Sequence, residues 1–176
     1  MKDLLYTPYE LAIIIYNNNL ENEQYIEMLK DFHTYDKSFI QLQYRHDAKA
    51  FILAVMDKLE YINDPVAYVS EQTDCEKDSE QFGIWGKEES IEDYQENYLY
   101  FKELRIKIKY FSSKGFVKKK FSVFLSDLGY ERRSSKLVRL INNCLYFYHI
   151  EASLRGNVPC SIDKVDLDDT IVFRAI

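Results

Sequence analysis

A chain of 176 residues with 15 Tyr and 11 Phe holds enough apolar surface for one large or two small packed cores, which excludes intrinsic disorder. Its net charge of −6 hides a division: residues 1–103 hold 9 Lys and Arg against 22 Asp and Glu, whereas residues 104–140 hold 11 against 2. Three cysteines (Cys75, Cys144, Cys160) with no CxxC spacing exclude a disulfide framework, and with no signal peptide and no apolar run beyond residues 11–16 they predict a soluble, cytoplasmic protein without membrane contact.

Thr7, Pro8 and Glu10 predict the first helix start, with Thr as N-cap, Pro at the first helical position and Glu closing a capping box. The helix should fail at Asn17, Asn18 and Asn19, whose amides compete for the backbone. A second helix follows from about Asn22 to Thr34, with Ile26, Leu29 and Phe32 as its buried stripe. From Phe39, the residues Ile40, Leu42 and Tyr44 alternate with Gln41, Gln43 and Arg45, the period of a strand. Asp47 then caps a third helix over residues 48–62, with Phe51, Ala54, Val55, Leu59 and Ile62 toward the core, ended by Asp64 and Pro65. Residues 70–96 are strongly acidic and contain Gly83 and Gly86, which reads as a solvated connection anchored by Trp85.

Residues 98–110 read as a second strand: Leu104, Ile106, Ile108 and Tyr110 on one face, Arg105, Lys107 and Lys109 on the other. Such a cation row either guards a sheet edge or runs beside a phosphate backbone. Lys114, Lys118, Lys119 and Lys120 follow at once and favour an anionic partner. Ser112, Ser113 and Gly115 mark a hinge, dividing the chain into an acidic α/β body (1–114) and a C-terminal module (115–176).

In that module Phe121, Phe124, Leu125 and Leu128 share one face of a helix, and Leu137, Val138, Ile141 and Leu145 share one face of the next. Gly129 suits the intervening stop and Ser134 or Ser135 the next N-cap. This is helix-turn-helix patterning, and it places Arg132, Arg133, Lys136 and Arg139 where a recognition helix meets phosphates and base edges. Strands over residues 150–154 and 170–175, with a turn at Arg155, Gly156 and Asn157, would form a wing. The acidic tract at residues 163–169 makes its tip a poor phosphate contact. The expected fold class is therefore α+β.

Residues 121–176 resemble a small winged-helix-like module of bacterial restriction-linked, defence and signalling proteins. The resemblance rests on Gly129-Tyr130, Arg132-Arg133, Ser134-Ser135 and Leu137-Val138 with Ile141, then Pro159, Ile162, Asp163, Asp168 and the run from Thr170 to Phe173. It implies a winged helix and a setting in bacterial defence or phage counter-defence. The run from Cys144 to Tyr148 is more aromatic than that pattern.

Together these features predict a non-enzymatic protein that binds DNA or RNA through Arg105, Lys107, Lys109, Lys114, Lys118, Lys119, Lys120, Arg132, Arg133, Lys136 and Arg139. The acidic half is left for a protein partner or a second copy. The alternative is an inhibitor of a defence nuclease, anti-CRISPR-like, its acidic surface imitating nucleic acid or its basic patch competing for a guide strand. A third reading, a metal-dependent nuclease, rests on Asp36, Asp47 and Lys49. His33, His46 and His149 have no metal-ligand spacing, and Ser126 and Ser161 no nucleophile context. No catalytic residue, metal or cofactor is expected.

Overall fold

Helix α1 (Pro8–Asn17) starts as its sequence requires. The Glu10 N–H donates to Thr7 Oγ1 at 3.2 Å, and the Thr7 N–H donates to a Glu10 carboxylate oxygen at 2.9 Å. It ends where the asparagines begin: Asn18 Nδ2 donates to the Ile14 carbonyl at 2.7 Å, and Asn19 takes a φ of 49°. The computed structural model describes residues 4–62 and 97–176. The expectations for residues 70–96, Trp85, Cys75 and the Asp64-Pro65 stop lie outside them. The chain divides into two compact units, Met1–Ile91 and Glu92–Ile176.

In the first unit α2 (Asn22–Tyr35) and α1 both pack on α3 (Ala48–Glu60). Asp47 caps α3 by accepting the Ala50 N–H at 2.9 Å. The buried side of α2 is Tyr25, Met28, Leu29 and Phe32, with Ile26 at its margin. Rings hold the centre: Tyr6 meets Phe32 edge-on at 5.1 Å and Phe32 stacks on Phe51 at 6.2 Å.

The strand expected at residues 39–44 is not one. Two 3₁₀ turns, Lys37–Phe39 and Leu42–Tyr44, flank Ile40, which makes a single bridge to Tyr6. Arg45 supplies what a neighbouring strand would have supplied: its guanidinium donates to the carbonyls of Ile40 and Ser38, each at 2.7 Å.

In the second unit residues 98–110 form a helix, contrary to the strand expected. Helix α4 (Tyr98–Ile106) continues into a π-helical turn, Lys107–Phe111. Phe101, Lys102, Leu104, Arg105, Ile106 and Ile108 are all buried, so burial wraps most of this helix and takes in two cations. The segment alternates only if the charged Arg105 is counted as a solvent position. These residues belong to the same compact unit as the C-terminal elements.

After α4 come β1 (Val117–Lys120), α5 (Phe121–Asp127), α6 (Ser135–Phe147), β2 (Ile150–Leu154), a short β3 (Val158–Pro159) and β4 (Thr170–Ala175). The strands pair antiparallel in the order β1-β4-β2-β3. Phe124 sits at the centre of an aromatic cluster, 5.0 Å from Phe173, 5.9 Å from Tyr100 and 6.2 Å from Phe101. Phe101 in turn stacks on Tyr148 at 5.9 Å. Among the described residues no helix is long and apolar enough to cross a membrane.

Candidate nucleic-acid interface

Helices α5 and α6 are built as their sequence predicts. Phe121, Phe124, Leu125 and Leu128 are buried on the first, and Leu137, Leu140, Ile141, Cys144 and Leu145 on the second. Gly129 takes a φ of 84° at the stop, and Ser134 Oγ accepts the Leu137 N–H at 3.2 Å to start α6. With that face inward, the outward stripe of α6 is Lys136, Arg139, Asn142 and Tyr146, all exposed, and Arg132 is exposed just before it.

The other predicted cations have different surroundings. Arg105 is 1% exposed and faces the interior. Lys107 pairs with Glu103, one helical turn back, at 2.6 Å. The alternating row of residues 105, 107 and 109 therefore does not exist, since a helix turns these positions in different directions. Lys109 is exposed and lies over the ring of Tyr110. Lys119 forms an ion pair with Asp127 at the end of α5 and lies over the Tyr100 ring. The Tyr100 hydroxyl also points at Asp127, 3.4 Å away. Burial and that carboxylate push the phenol above its ordinary range.

Lys120 pairs with Asp168 at 2.5 Å, and the ammonium holds that carboxyl below its usual range. Lys114 and Lys118 are exposed. Part of the basic tract is thus neutralised within the unit, and part of it is open.

Arg133 is a structural residue. Its Nη1 donates to the carbonyls of Ile162 at 3.0 Å and Val165 at 2.6 Å, and its guanidinium lies over the Phe121 ring. The acidic tract it holds also closes the start of α5: the N–H groups of Phe121 and Ser122 donate to the carbonyls of Asp169 at 2.8 Å and Leu167 at 3.0 Å. The tract between β2 and β4 is therefore held through its main-chain carbonyls against the start of α5 and the turn ahead of α6. Asp163, hydrogen-bonded by Ser161, titrates below the ordinary carboxylate range.

The alternative chemistries find little support in geometry. Asp47 is spent on its cap, and among the described residues no group of three or more His, Cys, Asp or Glu could hold a metal ion. His33 Nε2 lies 3.0 Å from the Tyr44 carbonyl, so that nitrogen carries the proton and donates. Burial, with Asp169 nearby, pushes the Cys160 thiol up to about 11, which keeps it protonated.

Asn142 and Tyr146 escaped the sequence reading, although Asn142 lies three residues beyond Arg139 and Tyr146 four beyond Asn142, which was a signal. Arg174 also escaped it; only strand pairing brings it beside Phe116, whose ring lies 5.6 Å away. No protein-family model, curated protein or solved structure gives a significant match to this chain.

Proposed function

We propose that the second unit is a winged helix that binds duplex nucleic acid through α6. The element order α4, β1, α5, α6, β2, β4 and the strand order β1-β4-β2 support the winged-helix assignment, with β2 and β4 as the wing strands. The observation that carries the binding role is the outward stripe of α6. Two cations and an amide follow one another at helical spacing on a face whose reverse is locked into the core, preceded by exposed Arg132. Such a helix can enter a major groove, its cations on phosphates or guanines and Asn142 on an adenine edge. The acidic tract is folded away on α5, so contact falls to the helix rather than to the wing tip. The setting in bacterial defence or phage counter-defence belongs to this proposal through the winged-helix resemblance alone.

The test is fluorescence anisotropy with a short labelled duplex at low salt. Charge reversal at Arg132, Lys136 and Arg139 together is expected to weaken binding by at least about tenfold. Arg133 stays in place, so that the fold is kept. Undiminished binding by the triple variant refutes the assignment.

A further inference from the structure

The sheet has a second face that α6 does not use. Strand alternation puts Lys118 and Lys120 of β1, Thr170 and Arg174 of β4 and Glu151 of β2 on the side opposite Phe173, which turns inward to Phe124, around Val172 and Ser153, which are buried on that same side. Phe116, just ahead of β1, joins them. The Lys118 ammonium lies 5.2 Å from its ring centroid and the Arg174 guanidinium 5.6 Å. Arg174 is held in place: Nη1 donates to Ser153 Oγ and Nη2 to Asn157 Oδ1, each at 2.9 Å, leaving its other N–H groups for a further acceptor. Lys114 is exposed in the turn before Phe116, where Gly115 takes a φ of 67°.

An aromatic ring on a pleated surface, with one fixed and one flexible cation against it, has the chemistry of a single-strand platform. We infer that this outer face binds an unpaired nucleic-acid strand, with a base stacked on Phe116 and neighbouring phosphates held by Arg174 and Lys118. Duplex bases already stack on one another and offer the ring no face. The lysine stem swings aside to admit the base while the bonded guanidinium stays. The surface is separate from α6, so unit two carries one site suited to paired and one suited to unpaired strands, as a junction between the two would require.

The experiment uses the full chain with two labelled probes, an oligodeoxythymidine and a short duplex, at low salt. Phe116→Leu with Lys118→Gln is expected to weaken oligodeoxythymidine binding by about tenfold or more and to leave the duplex within about twofold. Reversal at Arg132, Lys136 and Arg139 is expected to do the opposite. Circular dichroism checks that each variant is folded, and Lys118→Gln alone, at an exposed position, gives a smaller loss in the same direction. The inference is overturned if the wild-type chain does not retain oligodeoxythymidine, or if the folded sheet variants bind it as the wild type does. Loss of single-strand binding in the sheet variants with no duplex binding by any form supports this inference and overturns the α6 assignment alone.

Discussion

Arg133 ends on the carbonyl of Val165, 2.6 Å away, with the Ile162 carbonyl at 3.0 Å on the same nitrogen. One side chain thus ties the turn ahead of α6 to a loop 32 residues further on, although it is exposed like its neighbour Arg132. Two adjacent arginines of identical chemistry do different work because Arg133 is the one hydrogen-bonded to those carbonyls.

Replacing Arg133 by Gln should therefore destabilise the protein by about 1–3 kcal/mol, since two carbonyls lose a charged donor. Arg132→Gln should stay within about 0.5 kcal/mol of wild type, as surface changes do. Urea unfolding followed by circular dichroism measures both. Equal stability losses in the two variants would contradict the assigned roles.

The salt dependence of duplex binding should separate exposed Arg132 from Lys119, which is held in an ion pair. Removing Arg132 should lower the slope of log affinity against log salt by about 1. Lys119→Ala should leave it nearly unchanged, because that ammonium is already matched by Asp127. Anisotropy titrations over a range of salt concentrations give the slopes.

Asp168 has its pKa lowered from an ordinary 3.8 by its hydrogen bond and charge contact with Lys120. A depressed folded-state value means that the pair's contribution is present above the unfolded pKa and is lost as pH falls through the folded one. Carbon NMR titration should find the Asp168 midpoint below 3.8 in the wild type and nearer that value in Lys120→Gln. The carboxylate is fully exposed, so the accompanying change in stability should be small.

Gly129 sits at φ 84° with open space around the position of a Cβ. Gly129→Ala should cost about 1–2 kcal/mol through left-handed backbone strain and not through a clash. Thermal melting would show the loss, and a crystal structure of the variant would show an undisturbed helical turn.

The sequence by itself determined the elements whose signals are local. The Thr7 and Glu10 capping box, the asparagine stop of α1, the Asp47 and Ser134 caps and the Gly129 turn each depend on residues within four positions, and each forms as written. The inward faces of α5 and α6 were equally legible, because every buried position there is apolar. Tertiary structure alone decided the segments where a partner at long range sets the outcome. Residues 39–44 had the alternation of a strand but, among the described residues, only a single bridge to Tyr6 and no neighbouring strand to extend it, and the Arg45 side chain took the carbonyls of Ile40 and Ser38. Residues 98–110 became helix because Arg105 is an inward position, which no periodicity reveals while a charge is counted as solvent. The fate of each lysine on β1 was likewise hidden: Lys119 and Lys120 find carboxylates brought up by α5 and by the tract before β4, whereas Lys118 is left to Phe116 and the outer face. Charge composition counts cations, but only the folded chain brings each one to its carboxylate, carbonyl, ring or water.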